Sequence, residues 1–156
     1  MSNGKSVCLE FRSTYEMLDF VQVASDHLGR QAGLDDEALH WVGVAVRESV
    51  INAIKHGNKG DGQKSVRVEF TPLDASNRPG LAIRVRDEGP GFDPADVPDP
   101  LDPENVLKSC GRGIFIMRSF MDELVVQRVP EGGMEVLMVK HAPAPQTDPA
   151  SLRPNE

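Results

Sequence analysis

Glu48 and Asn52 stand four residues apart in the run Glu48-Ser-Val-Ile-Asn52. On a helix they would share one face about a turn apart and reach one site together. A carboxylate in that position can orient or deprotonate a nucleophile. The amide oxygen of Asn52 is a hard donor suited to Mg²⁺, which commonly arrives with phosphates and keeps several waters. An ordinary solvated helix face has the same composition, so the pair alone leaves both readings open.

Two further segments carry similar potential. In Arg86-Asp-Glu-Gly-Pro-Gly-Phe92 an acid follows an alternating stretch, and Gly89 and Gly91 then let backbone approach a ligand without Cβ interference. As a carboxylate, Asp87 only accepts hydrogen bonds, so at the base of a pocket it could take the exocyclic amine of an adenine. A plain strand-to-loop turn uses the same residues. In Ser109-Cys-Gly-Arg-Gly-Ile114, Gly111 and Gly113 precede a helical pattern, where free N–H groups and the positive dipole end favour phosphate. Lys108 and Arg112 add positive charge, although glycines before a helix also serve packing alone.

The elements that must position these segments follow from periodicity. Apolar residues alternate at Val7, Leu9 and Phe11, at Val66, Val68 and Phe70, and at Leu81, Ile83 and Val85, which predicts strands over 6–12, 64–71 and 81–86. Helical spacing from Met17 to Leu28, begun by Ser13 or Thr14, predicts a helix reaching Gly33. A second helix, capped by Asp35 or Asp36, carries Leu39, Val42, Val46, Val50 and Ile54 and stops at Gly57. Five prolines between Pro90 and Pro103 predict a long loop over 89–109. A helix from about Gly113 to Met121 and strands near 124–128 and 135–140 complete the pattern. The fold class expected is α+β, a two-layer sandwich with a mostly antiparallel mixed sheet covered on one face by helices. One domain over residues 6–140 is expected, with 141–156 as a disordered, proline-rich tail.

With 156 residues, the chain has length for one core but not two. A net charge of -7 argues against nonspecific attraction to nucleic acid or anionic membrane. No stretch approaches the roughly 20 apolar residues of a membrane helix, and the first residues lack a secretory core, so a cytoplasmic location is expected. Cys8 and Cys110 have neither the number nor the spacing for a disulfide framework or a zinc site.

Taken in order, Glu-Ser-Val-Ile-Asn-Ala-Ile-Lys-His-Gly-Asn (48–58), Asp-Glu-Gly-Pro-Gly-Phe (87–92) and Gly-Arg-Gly-Ile-Phe-Ile-Met (111–117) resemble the N box and the two glycine boxes of Bergerat-fold ATPases. Within them the chain most resembles the bacterial anti-sigma-factor serine/threonine kinases, the RsbW-like group. The similarity runs from about residue 6 to 140 and includes the run 116–124.

That resemblance implies ATP and Mg²⁺ as ligands. Glu48 would be the general base on a substrate serine, Asn52 the Mg²⁺ ligand, and Asp87 the adenine acceptor. Lys55, Gly89, Gly91, Lys108, Gly111, Arg112 and Gly113 would contact the nucleotide or shape the loop edges around it, and residues 92–108 would form a lid. His56 and Asn58 would fix the helix end and the edge of the site. Implied partners are a STAS-type antagonist and a sigma factor, with the kinase as a homodimer. The alternative is a nucleotide-gated, partner-switching module without useful turnover. A histidine-kinase fragment is disfavoured, because no long helix pair bearing a phosphoacceptor histidine precedes Glu48.

One position departs from the pattern. Where the group commonly has a threonine supporting the adenine-binding aspartate, this chain has Met134, which brings no hydroxyl. If that contact is lost, Met134→Thr should strengthen ATP binding several-fold, on the scale of about 1 kcal/mol. Calorimetric titration of both proteins checks this; equal affinities would show that the methionine costs nothing.

Overall fold

Leu81, Ile83 and Val85 point to one side of their strand and Ala82, Arg84 and Arg86 to the other. That alternation organises the sheet. A computed structural model of the chain describes residues 5–74, 78–91 and 109–143, with residues 109–112 as backbone only. Its strands are β1 (Val7–Arg12), β2 (Ser65–Leu73), β3 (Gly80–Arg86), β4 (Glu123–Arg128) and β5 (Met134–His141), in the spatial order β1-β2-β3-β5-β4. Every pairing among these described strands is antiparallel.

The register lines apolar residues up across the sheet. Leu9, Val68, Val85, Val136 and Val126 form one row, and Phe70, Ile83, Met138 and Leu124 a neighbouring one. These rows face the helices, and Val68, Phe70, Ile83 and Met138 lose all contact with solvent. The opposite face is charged, with Arg67 near Glu69, Arg84 near Glu135 and Arg86 bonded to Glu131. Pro72 lies in β2 beyond Phe70, where the described pairing with β1 stops, as suits a residue without an N–H to donate.

Three helices cover the apolar face: α1 (Leu18–Gln31), α2 (Asp36–Asn52) and α3 (Ser109–Phe120). The Thr14 hydroxyl accepts from the Glu16 N–H, but it caps a 3-10 turn over Tyr15–Met17, so α1 proper starts later than its sequence signal. Asp35 caps α2 by accepting from Ala38 N–H at 2.8 Å. The last turn of α2 widens into a π turn over Ala53–Gly57, so helical backbone still reaches the expected stop. Trp41 of α2 and Phe120 of α3 stack with ring centres 3.5 Å apart.

Two expected boundaries shift. The third helix starts at Ser109 rather than near Gly113, which places both glycines inside it; helices tolerate glycine at a cost of about 1 kcal/mol, too little to set a boundary. At the other end, β5 runs through His141, and Ala142 is buried with its N–H bonded to the Pro79 carbonyl, so ordered chain passes residue 140. The rest of the expected tail, like the expected lid at 92–108, lies outside the described residues. No helix among the described residues is long and apolar enough to cross a membrane.

The core makes a direct prediction. Phe70→Ala should lower unfolding stability by about 3–5 kcal/mol, whereas Arg84→Ala on the charged face should stay within about 0.5 kcal/mol. Urea midpoints at constant slope check both.

Candidate nucleotide-binding site

Continuing the alternation of β3 one step past Val85 brings Asp87 to the helix side, where a fourth apolar residue would be expected. Asp87 is 6% exposed. Oδ1 accepts from Gly89 N–H at 2.9 Å and from Met134 N–H at 3.2 Å, while Asp87 N–H donates to the Met134 carbonyl at 3.0 Å. Burial raises the Asp87 pKa above its ordinary value of 3.8, and the two N–H donors, with Lys64 further off, pull it back down.

Three glycines make room for this acid. A Cβ on Gly57 would sit 2.2 Å from Asp87 Oδ2, and one on Gly89 would sit 1.8 Å from the Gly57 carbonyl. The end of α2 therefore rests directly on the β3 loop. Gly133 has φ +93, and a Cβ there would lie 2.0 Å from the Asp87 carbonyl, so both its conformation and its closeness require glycine. Asn58, only 1% exposed, ties the corner together. It donates to Ser13 Oγ and to the Ser65 carbonyl, and its Oδ1 accepts from Glu88 N–H at 2.8 Å.

Along α2 the other residues of the first segment point to the same region. Ser49, Asn52, Ala53, His56 and Gly57 line a narrow slot closed by Val85, Asp87, Met134 and Val136 on the sheet side and by Ile114 and Met117 of α3. The slot encloses about 40 Å³, nearer the space of one water molecule than the roughly 300–1,000 Å³ of ligand pockets. Two methionines in its wall are the side chains best able to re-pack around a ring.

Gly113 brings the third segment in. A Cβ on it would stand 2.9 Å from Asn52 Nδ2 and 3.3 Å from Glu48 Oε2, so bare α3 backbone lies against both side chains. Gly111 and Gly113 both lie within α3, whose described part begins at Ser109. Gly91 has φ +73 and lies beside Arg128 and Met134. Lys55 is exposed and is not among the residues lining the slot. Partial burial, and then the Lys55 charge, lower the pKa of His56 from its ordinary 6.5, so its ring is neutral at pH 7. Lys108 lies outside the described residues, as does the side chain of Arg112.

Of the residues marked in the sequence, Asn52 and Asp87 line the slot; Glu48 and Gly113 lie beside Asn52, and Gly89 packs on Gly57. Gly57 and Ser49 line it as well, and Gly133 packs on the Asp87 carbonyl, although the sequence marked Gly57 only as a helix stop. Their signal lay in what they approach, which no local pattern encodes. A larger cavity of about 350 Å³ lies at the other end of α2, near Trp41, Asp122 and Lys140. Several of its polar groups already hold the fold: Lys140 bonds the Phe120 carbonyl and pairs with Asp122, which also accepts from His141 N–H.

Residues 11–140 match the family described as the histidine kinase-like ATPase domain. The chain is 30% identical over 144 residues to an anti-sigma F factor of Clostridium novyi, covering 88% of this chain and 95% of that protein. It is 35% identical over 109 residues to an anti-sigma F factor of Bacillus licheniformis, covering 67% and 70%. With a serine-protein kinase RsbW of Listeria monocytogenes it shares 25% over 141 residues, 86% of each chain.

The buried acid predicts a pH dependence. An acid whose folded-state pKa is raised binds its proton more tightly in the folded chain; its contribution to stability is fully present below the ordinary carboxylate range and is lost as pH rises through the raised value. Asp87→Asn keeps an oxygen for Gly89 and Met134 but removes the buried charge. It should therefore melt at or above wild type at pH 7, with the difference shrinking as pH falls toward 4. Melting curves across that range check this, and a gap that widens on acidification would contradict it.

Proposed function

The chain belongs to the histidine kinase-like ATPase family and, within it, to the anti-sigma-factor serine kinases, and on that premise we propose that it binds ATP in the slot, transfers the γ-phosphoryl group to a serine of a STAS-type antagonist, and holds a sigma factor. The observation that carries this reading is that Asn52 and the buried Asp87 line one slot, while Asn52 and Glu48 both lie against the bare Gly113 backbone of α3.

Each residue then has a chemical task. Asp87 Oδ1 is committed to backbone donors, and its charge is available to an exocyclic amine at C6, which adenine offers and a 6-oxo purine does not. The apolar walls, Val85, Ile114, Met117 and Met134, suit the faces of a flat ring. Glu48, partly buried on the same face as Asn52, accepts the proton of the substrate serine as its oxygen attacks the γ-phosphorus. The bond to the bridging oxygen breaks and ADP leaves. Catalysis of this kind rests on positioning and charge stabilisation.

The donors near Glu48 suit Mg²⁺. The described residues contain no cluster of three carboxylate, histidine or cysteine groups, and a single amide oxygen from Asn52 fits an ion that takes most ligands from phosphate and water. Bound there, it would offset phosphate charge. On the family resemblance, Gly111, Arg112, Lys108 and Lys55 would contact the nucleotide. Partner contact is supported by Tyr15, Phe20 and Val23, exposed apolar residues on and before α1. We place a homodimer of 6–140 domains within the same reading.

Glu48→Gln should lower serine phosphorylation by about 10²–10⁴-fold while ATP affinity stays within roughly threefold, because the slot and Asp87 are untouched. Transfer of labelled phosphate to a STAS-type protein, measured beside ATP titration, separates the two; undiminished transfer would remove Glu48 from the base role.

A further inference from the structure

Ser49 is 2% exposed, and its hydroxyl has no hydrogen-bond partner among the described residues. A serine inside a helix ordinarily turns to solvent or bonds back to the carbonyl four residues earlier, and Ser49 does neither. Buried, unpaired hydroxyls are scarce in folded proteins, because each has given up water without a replacement. When one lines a cavity, a ligand or a water is the expected partner.

Ser49 does line a cavity. It shares the narrow slot with Asp87 and Met134, and the nearby sheet and α3 residues in the lining, Val85, Val136, Ile114 and Met117, are apolar. The polar side chains of that slot are therefore few: Asp87, Asn52, His56 and Ser49. Asp87 Oδ1 already holds two backbone donors. Asn52 lies against Gly113 beside Glu48. A ring whose amine meets Asp87 would present the two ring nitrogens flanking that amine, both acceptors, to the surrounding wall. Met134 meets them with a thioether, which cannot donate. Ser49 can.

We propose that the Ser49 hydroxyl is a specificity-determining contact for adenine, donating directly or through one water to a ring nitrogen next to the amine held by Asp87. This rests on the ATP reading of the slot, and it assigns the second polar contact that the last strand does not supply. It also accounts for an unpaired hydroxyl in a position where alanine would pack equally well.

Ser25 offers an internal control. It is 1% exposed, its hydroxyl is also without a partner, and it sits on the buried face of α1, away from the slot lining. Removing either hydroxyl relieves an unsatisfied group, so nucleotide-free Ser49→Ala and Ser25→Ala should both melt at or above wild type. Their ATP affinities should part: Ser25→Ala unchanged, Ser49→Ala weaker by roughly three- to tenfold.

Titration of the full chain with ATP, 1-deaza-ATP and 7-deaza-ATP then tests the contact itself. The penalty of Ser49→Ala should disappear for the analogue that lacks the nitrogen in question and persist for the other. Unchanged ATP affinity in Ser49→Ala overturns the proposal. So does a penalty of equal size with all three nucleotides, or one accompanied by a lower melting temperature, since either outcome marks a packing role. A wild type that binds no adenine nucleotide overturns the ATP reading together with this one, whereas a wild type that binds ATP with Ser49→Ala unaffected overturns this one alone.

Discussion

One buried carboxylate sets the terms for this molecule. Asp87 sits where the β3 alternation calls for an apolar side chain, and a charge there is tolerable only if backbone donors converge on it. Met134 N–H supplies one, which ties the start of β5 to the end of β3; Gly89 N–H supplies the other, which folds the following loop back over the carboxylate. The same requirement dictates bare backbone at Gly57 and Gly133, since any Cβ at either would occupy space already taken by Asp87. Elements far apart in sequence are thereby fixed around a single oxygen pair.

The π turn at the end of α2 follows from this arrangement. A helix in contact with the β3 loop through Gly57 and Gly89 has its last residues placed by that contact. Asn58 then closes the corner, bonding Ser13, Ser65 and Glu88 so that β1, β2 and the loop after β3 share one buried amide. With that end anchored, the helical repeat from Ser49 to His56 faces the slot, and Glu48 falls beside Gly113 of α3.

Much of this was legible in order but not in contact. Period-2 runs gave β1, β2 and β3, and the apolar spacing of α2 gave both its buried face and the shared face of Glu48 and Asn52. Asp87 could be read as a candidate because it ends an alternating run. Gly57 and Gly133 could not be ranked above other glycines, because what excludes a side chain there is an atom 30 or more residues away in the chain. The start of α3 was misplaced for a related reason. Glycine is a weak local signal, and what allows helical backbone from Ser109 is not carried by Gly111 or Gly113. Ser49 was passed over because a serine beside a candidate base looks like any helix residue until its burial and its missing partner are known.

The two ends of the site depend on different parts of the fold. The Asp87 end is held by β3, β5 and the end of α2, a network of backbone hydrogen bonds within the sheet layer that changes little unless strands separate. The Glu48 end meets α3 through Gly113, and the described part of α3 begins at Ser109. Under the proposed ATP reading, recognition of a ring and positioning of phosphates are therefore separable properties: the first would follow from the sheet, the second from how α3 is seated on α2. Binding without turnover is then the expected result of any change that shifts α3 while leaving Asp87 in place. In this architecture a nucleotide-gated binding module and a kinase differ by the seating of one helix rather than by fold.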